Sequence, residues 1–421
     1  MSADINNNYT CELLVVGGGI AGITAAVEAA EVGKRVTLVE REHYLGGRVV
    51  QLNKYFPKMC PPVCGLEINF RRIRQNPNIS VLTGASPVAV NGAAGAYRAT
   101  LKIAPRFVTE KCTACGDCEK VCQVEVPDRF NFGLTKAKAI RLPHEMAYPF
   151  SYFIEPSAVT HPQMKEVAAA CKIGAIELDM PERTIDVEAK SIIWATGWEP
   201  YDALKLEPLG FGKLPNVVTN MMLERMAAPN GANGGKLTRP PDGSAITRAA
   251  FVQCAGSRDA NHLPYCSAVC CMASLKQTRY IRDQYPNAEI HIFFIDARTP
   301  GRWEDFYQQI QGDPKCILHR GKVGSIEAAE NGMVRLTAEN TITGTLEQVS
   351  VDLAVLAVGM VPVAAKEPPP GVQRDLFGFI VNDGAPAIIA AGVAAGPKDV
   401  AAANEEATGA VALALKQMAG R

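Results

Sequence analysis

Leu13–Glu40, LLVVGGGIAGITAAVEAAEVGKRVTLVE, decides the fold. Leu13 to Val16 is an apolar run of strand length. A glycine turn follows, then a stretch with apolar residues at helical period, then a second β-branched run ending on Glu40. Gly17, Gly19 and Gly22 fall at G-x-G-x-x-G spacing between that strand and that helix. Gly17 allows the tight turn, Gly19 lets a pyrophosphate approach the backbone, and Gly22 lets helix and strand pack closely. Ile20 and Ala21 open the helix, whose unpaired N–H groups face phosphate charge. Glu40, 23 residues after Gly17 and followed by Arg41, sits where a carboxylate can accept from both ribose hydroxyls of an adenosine. Strand, turn, helix, strand and acid together predict a dinucleotide site.

Three further stretches bear on which dinucleotide. Gly46, Gly47 and Arg48 come just after the acid; Trp194-Ala195-Thr196-Gly197 follows the strand Ser191–Ile193; Ile388 to Gly392 reads as a strand running into Gly-Pro-Lys-Asp at 396–399 and an Ala-rich helix. These stretches resemble the repeated FAD contacts of the two-dinucleotide-binding-domain flavoproteins, the group of thioredoxin and glutathione reductases. The resemblance implies an α/β fold of doubly wound sheets, and FAD rather than NAD at the first site. It implies FAD contacts at Arg41, Gly47, Arg48, Ala195, Thr196, Gly197 and Gly392. In that group an Asp after Ala-Gly holds the ribityl chain; Val393 stands in that place here, so that contact must come from elsewhere. Lys398 lies in the loop facing the expected isoalloxazine. It either donates to the ring and offsets charge on it, a catalytic role, or caps the preceding turn.

The chain has 421 residues, enough for two to three domains, and 43 basic residues balance 43 acidic ones. The charges are mixed along the chain, and no basic block suggests nucleic acid or lipid headgroups. The opening MSADINNNYT lacks the regions of a signal peptide, and no apolar run approaches the roughly 20 residues of a membrane span. Thirteen cysteines are clustered in the manner of ligands, which need a reducing compartment. The expected location is the cytoplasm.

Cys60 and Cys64, in PKMCPPVCGLE, are either a redox pair, cluster ligands or structural thiols. Pro61 and Pro62 disfavour the helix start that lowers the pKa of an attacking thiolate. From Phe107 to Asp179 the composition shifts. Cys112, Cys115, Cys118 and Cys122 give C-x2-C-x2-C-x3-C, the spacing of the bacterial ferredoxin loop, and Gly116 supplies its flexibility. In two-cluster ferredoxins the fourth cysteine of each run serves the other cluster. Cys171, in CKIGAIEL, looks like the distant ligand, yet 154–170 contains no partner run. One [4Fe–4S] cluster on Cys112, Cys115, Cys118 and Cys171 is expected, with Cys122 as fourth ligand the competing assignment. Zinc sites with four cysteines normally pair two separated C-x2-C units, which this run does not.

After the insert the flavin domain resumes, and the Pro-, Gly- and Asn-rich loop 229–244 marks a boundary. Ala249–Cys254 reads as the first strand of a second doubly wound unit. Cys254-Ala255-Gly256-Ser257-Arg258 keeps one glycine of the dinucleotide set, so direct NAD(P)H binding is not expected. In its place come Cys266, Cys270 and Cys271. Cys266 and Cys270 are one helical turn apart, so three thiols can gather at a helix start, with Cys254 pointing into the same loop. Four thiols at the carboxyl end of a strand suit a second iron–sulfur cluster where a nicotinamide would lie; buried cysteines with a vicinal disulfide are the alternative. His262 is a further candidate ligand. Five segments are expected. The FAD-binding domain takes three of them, 1–106, 180–244 and 346–421. Between these lie a ferredoxin-like insert at 107–179 and a second Rossmann-like domain with a cysteine-rich cluster site at 245–345.

The glycine run, the insert continuing into VEVPDRFN, the 194–197 turn, CAGSRD…YCSAVCC and GPKD together resemble the A-subunit family of heterodisulfide reductase over nearly the whole length. Within it the chain most resembles the short A subunits of the quinone-interacting membrane-bound oxidoreductase complexes of sulfate reducers. The resemblance implies FAD, a cluster on Cys254, Cys266, Cys270 and Cys271, and an electron-transfer role. As partners it implies adenylylsulfate reductase and two further subunits, one carrying flavin and iron–sulfur groups, the other a membrane quinone-interacting protein. Attachment to the inner membrane would be peripheral, through those subunits. The sequence closes at Arg421, just after the last flavin helix, and the insert holds ligands for one cluster. Both features favour a plain relay over bifurcation. Two rival functions stay open: a pyridine-nucleotide disulfide reductase using Cys60 and Cys64, and a structural subunit with a vestigial flavin site.

Overall fold

The computed structural model describes residues 8–56, 58–240, 242–382 and 388–419. The sequence-based reading of the opening stretch MSADINNNYT rests mostly on residues outside these. The chain divides into two compact units: one of residues up to Val50, Val63–Trp198 and from Pro362 onward, the other of Gln51–Pro62 and Glu199–Val361.

The first unit is built on the glycine stretch. Strand β1 (Leu13–Val16), helix α1 (Ile20–Glu31) and strand β2 (Val36–Glu40) form as the apolar pattern requires. β1 and β2 are buried along their whole length, which is why they read as continuous apolar runs instead of alternating ones. With β3 (Ile79–Thr83), β4 (Ser191–Trp194) and the short strand Ile389–Ala390 they make a parallel sheet in the order Ile389–Ala390, β4, β1, β2, β3. A second sheet pairs Asn8–Thr10, Arg183–Ala189, Ala96–Ile103 and Ala85–Ala93. Leu14, Val16 and Trp194 pack with Leu101 and Val187 in one core between the two sheets. Helix Val400–Met418 is capped by Asp399, whose side chain accepts from the Ala402 N–H at 2.8 Å. It lies along α1, where Thr24 donates to Asn404 at 3.1 Å and Thr408 to Glu28 at 2.9 Å.

The cysteine-bearing insert leaves this unit through a hairpin. Ile103 and Arg183 are register partners on neighbouring antiparallel strands, so the chain between them departs and returns at one place. The insert has its own core of Phe107, Val126, Ile140, Tyr152, Ile154 and Met164. It is tied to the flavin half by Arg106, which donates to the carbonyls of Tyr152 (3.0 Å) and His43 (2.5 Å), and by the Leu45 N–H to the Tyr148 carbonyl (2.9 Å).

The second unit holds a five-stranded, all-parallel sheet. Strands β5 (Val217–Thr219), β6 (Arg248–Ala255), β7 (Glu289–Phe294), β8 (Cys316–Arg320) and β9 (Leu353–Val358) run in the order β5, β9, β6, β7, β8. Helix α2 (Cys270–Gln284) follows β6, and a three-stranded antiparallel meander spans 323–351. The unit extends past the expected 245–345 on both sides, because β5 and β9 are sheet neighbours and the meander strand Leu346–Val351 leads straight into β9. The segment 51–62 also belongs to it. The Asn53 N–H donates to Glu224 (2.9 Å), and Lys276 bonds both Glu224 (2.9 Å) and the Lys54 carbonyl (2.8 Å).

Candidate flavin cradle and cysteine sites

At the carboxyl edge of the first sheet the glycines are required by contact. Gly17 has φ +113°, and a Cβ there would lie 2.1 Å from the Ala195 carbonyl oxygen; one on Gly22 would lie 1.8 Å from the Gly17 oxygen. Gly47, at φ +54°, sits over Gly19, and Gly392, at φ +66°, sits over Ala21. The turns at 17–22, 46–48, 194–197 and 392 therefore converge on the start of α1. Gly19 is the N-cap of that helix and provides no side-chain cap, so with Ile20 and Ala21 it presents backbone donors suited to a pyrophosphate. Glu40 is buried and accepts from the N–H groups of Gly18 (2.6 Å) and Glu42 (2.8 Å), which fixes the carboxylate while leaving lone pairs for a ribose. Burial pushes its pKa up, against those two donors. Thr196 carries a buried hydroxyl with no partner in the protein. A cradle that no Cβ can enter, together with a buried hydroxyl lacking a partner, fits FAD.

Arg48 donates to the Trp198 carbonyl at 3.1 Å, next to the Trp194–Gly197 turn. Arg41 faces outward to Glu367 at 3.3 Å. Lys398 pairs with Glu406 at 2.5 Å on the first turns of the last helix, a partner the sequence did not suggest. Val393 is buried.

In the insert, Cys112, Cys115, Cys118 and Cys171 line one small cavity with Gly116, Tyr152 and Ile173. Cys122 is fully buried in the insert core, its Sγ directed to the Val124 carbonyl at 3.6 Å. Burial raises Cys118 to about 11, with Cys112 and Cys171 adding to the effect through their charge. The Ala114 N–H donates to Cys112 Sγ (3.4 Å) and the Ala175 N–H to Cys171 Sγ (3.3 Å). Ala114 holds φ +55°, the strained turn that aims its N–H back at the sulfur.

The same local form recurs in the second unit. Ala268 has φ +62° and donates to Cys266 Sγ at 3.4 Å. Cys254, at φ +54°, sits where the β6–β9 register slips between Val252 and Ala255. The excursion after it is closed by Leu263 N–H to Gly256 O (2.9 Å) and Arg258 N–H to Tyr265 O (3.0 Å), which returns the chain to Cys266. Cys270 and Cys271 begin α2. The thiols sense one another: burial raises Cys254 to about 11, helped by Cys271 and Cys266. Burial also raises Cys270, joined by the charges of Cys254, Cys271 and Cys266. Arg258, ion-paired with Asp296, opposes this at Cys254. His262 Nδ1 lies 2.8 Å from the Tyr201 hydroxyl. All thirteen cysteines are free thiols, and Cys60 and Cys64 are both exposed. Among the described residues no three His, Cys, Asp or Glu side chains converge tightly enough for a single metal ion; the two cysteine sets are gathered more loosely.

Fold and cradle together define an FAD-dependent oxidoreductase of the two-dinucleotide-binding-domain type. The FAD dependent oxidoreductase family model matches residues 12–63. Thioredoxin reductases share the fold: that of T. acidophilum at TM-score 0.53 and 13% identity, covering 97% of this chain and 98% of that one. That of Lactococcus lactis matches at TM-score 0.52 and 15% identity, covering 98% and 100%. Along most of its length the chain is similar to the heterodisulfide reductase A subunits. It is 36% identical over 375 residues to the A subunit of the ferredoxin/F(420)H(2)-dependent CoB-CoM heterodisulfide reductase of Methanosarcina acetivorans, covering 88% of this chain and 46% of the relative. It is 35% identical over 431 residues to an iron-sulfur A subunit of the CoB–CoM heterodisulfide reductase of Methanopyrus kandleri, covering 99% and 65%. The chain thus spans between about half and two thirds of these relatives.

Proposed function

We propose that this chain is a flavin/iron–sulfur electron-transfer subunit of a membrane-associated oxidoreductase complex, holding one FAD and two [4Fe–4S] clusters. The observation that carries the reading is the gathering of Cys254, Cys266, Cys270 and Cys271 at the carboxyl end of β6, where a nicotinamide-dependent enzyme would keep its glycine turn. FAD exchanges one or two electrons and a cubane one, which suits a junction between a two-electron partner and single-electron carriers. The residues bind and insulate. Cys112, Cys115, Cys118 and Cys171 would hold the first cluster, and the N–H groups of Ala114, Ala175 and Ala268 would bond sulfur and raise its tolerance of added electrons. Glu40 and the α1 N-terminus orient the dinucleotide.

The partners in this reading are adenylylsulfate reductase, as soluble acceptor, and two further subunits. One of these carries flavin and iron–sulfur groups, and the other interacts with quinone in the membrane. The location is the cytoplasm, at the inner membrane by way of those subunits. Among the described residues no helix is long and apolar enough to cross a membrane, so the membrane step falls to a partner. The test is anaerobic rapid mixing. NADH and NADPH are expected to leave the flavin oxidised, while dithionite bleaches it, and adenylylsulfate reductase then restores the colour. Rapid bleaching by NAD(P)H with turnover of a disulfide would instead favour the reductase using Cys60 and Cys64.

Lys398 is proposed to face the isoalloxazine as one half of the pair with Glu406. Lys398→Met leaves that carboxylate uncompensated, and the flavin midpoint potential is expected to fall by tens of millivolts. An unchanged potential and electron-transfer rate would remove Lys398 from the reaction.

A further inference from the structure

Beside the second cysteine site lies a cavity of about 310 Å³, entirely within the second unit. Its wall includes Gln253, the residue before Cys254 in the register slip. Gln253 is 4% exposed, and its Oε1 is buried with no hydrogen-bond partner. A buried acceptor left unmatched is costly, so a ligand that donates to it gains more than an ordinary surface hydrogen bond would give. Leu209, Val252 and Val323 supply apolar walls. At the rim stand Asp259 and Lys322, paired at 2.5 Å. Asp259 also accepts from the Asn261 N–H at 3.0 Å, which holds its carboxylate in place.

The chamber therefore asks for a flat, largely apolar body with an N–H donor at its inner end, and for a diol and an anion at its outer end. Its place is the carboxyl edge of a parallel doubly wound sheet, where such folds hold nucleotides. It lies over the turn after β6, whose Cys254, Gly256, Asp259 and His262 line it together with residues from 206–209 and 322–324. We propose that this cavity binds an adenine nucleotide. The 6-amino group donates to Gln253 Oε1, the ring packs against Leu209 and Val323, the ribose hydroxyls donate to Asp259 and the 5′-phosphate meets Lys322. Cys254 forms part of the wall, so the bound base lies against the second cysteine site.

The test is calorimetric titration of the FAD-replete, iron-replete protein with adenosine, AMP and inosine. AMP and adenosine are expected to bind at one site per chain. Inosine, which sets a carbonyl against Gln253 Oε1, is expected to bind at least about tenfold more weakly than adenosine. Gln253→Leu is expected to weaken adenosine about tenfold or more with flavin and iron content unchanged. Lys322→Ala, at an exposed position on the rim, is expected to weaken AMP more than adenosine. Absence of heat with AMP up to about 1 mM, a range that covers ordinary nucleotide sites, overturns the proposal. So does equal affinity for adenosine and inosine, and so does an AMP affinity indifferent to Lys322→Ala.

Discussion

Cys171→Ala is expected to halve the iron content, from about eight to about four atoms per chain, while Cys122→Ala leaves it near eight. Spacing alone offers either cysteine as fourth ligand of the insert. The surroundings differ. Cys171 opens on the cavity shared with Cys112, Cys115 and Cys118, and its sulfur accepts the Ala175 N–H at 3.3 Å. Cys122 has no exposed surface and is packed among Val126, Ile140 and Met164, as a small apolar side chain would be. A methyl group in its place removes one buried sulfur and leaves the cavity intact. Iron assay and EPR of the dithionite-reduced variants, prepared anaerobically, decide the matter. Loss of a signal in the Cys122 variant with retention in the Cys171 variant would reverse the ligand assignment.

The second large effect concerns Gly22. At most helical positions alanine is better than glycine by up to about 1 kcal/mol. At Gly22 the added Cβ would stand 1.8 Å from the Gly17 oxygen, and Gly17 is itself locked against Ala195. Neither can yield, because both contacts are backbone. Gly22→Ala is therefore expected to push α1 off β1 and to cost about 3 kcal/mol or more, the range of severe overpacking. That is at least about a hundredfold in FAD retention. Gly409→Ala supplies the control: it lies on an exposed helical face with nothing within 4 Å, and it is expected to raise thermal stability slightly. Flavin absorbance after gel filtration and a thermal melt read both. A Gly22→Ala protein that keeps its flavin would show that helix and strand can separate at no cost.

The flavin cradle was legible in the sequence because Gly17, Gly22 and Gly47 answer close backbone contacts and Gly392 a positive φ beside Ala21, and such positions leave little freedom of residue type. Gly17, Gly22 and Gly392 could be placed from residue type and spacing for that reason. The gathering of Cys254 with Cys266–Cys271 was legible only in outline. What closes it, the paired backbone bonds at Gly256–Leu263 and Arg258–Tyr265, lies within the excursion and has no signature in residue type. The attachment of 51–62 to the second unit was invisible, since its partners Glu224 and Lys276 lie far along the chain. Lys398–Glu406 was also missed, the pair bridging a loop and a helix. His291 and His319 lie 28 residues apart in the chain, yet they sit 2.8 Å apart on adjacent parallel strands, with Glu289 and Glu347 bonded at either end. Only the register of β7 and β8 reveals that chain.

The hairpin from which the insert springs separates the completion of the parental sheet from the folding of the insert. With Ile103 beside Arg183, the parental sheet needs nothing from the residues between them to complete its ladder. On the proposed ligand assignment, the flavin-binding body can complete its own sheet while the appended lobe still awaits its cluster.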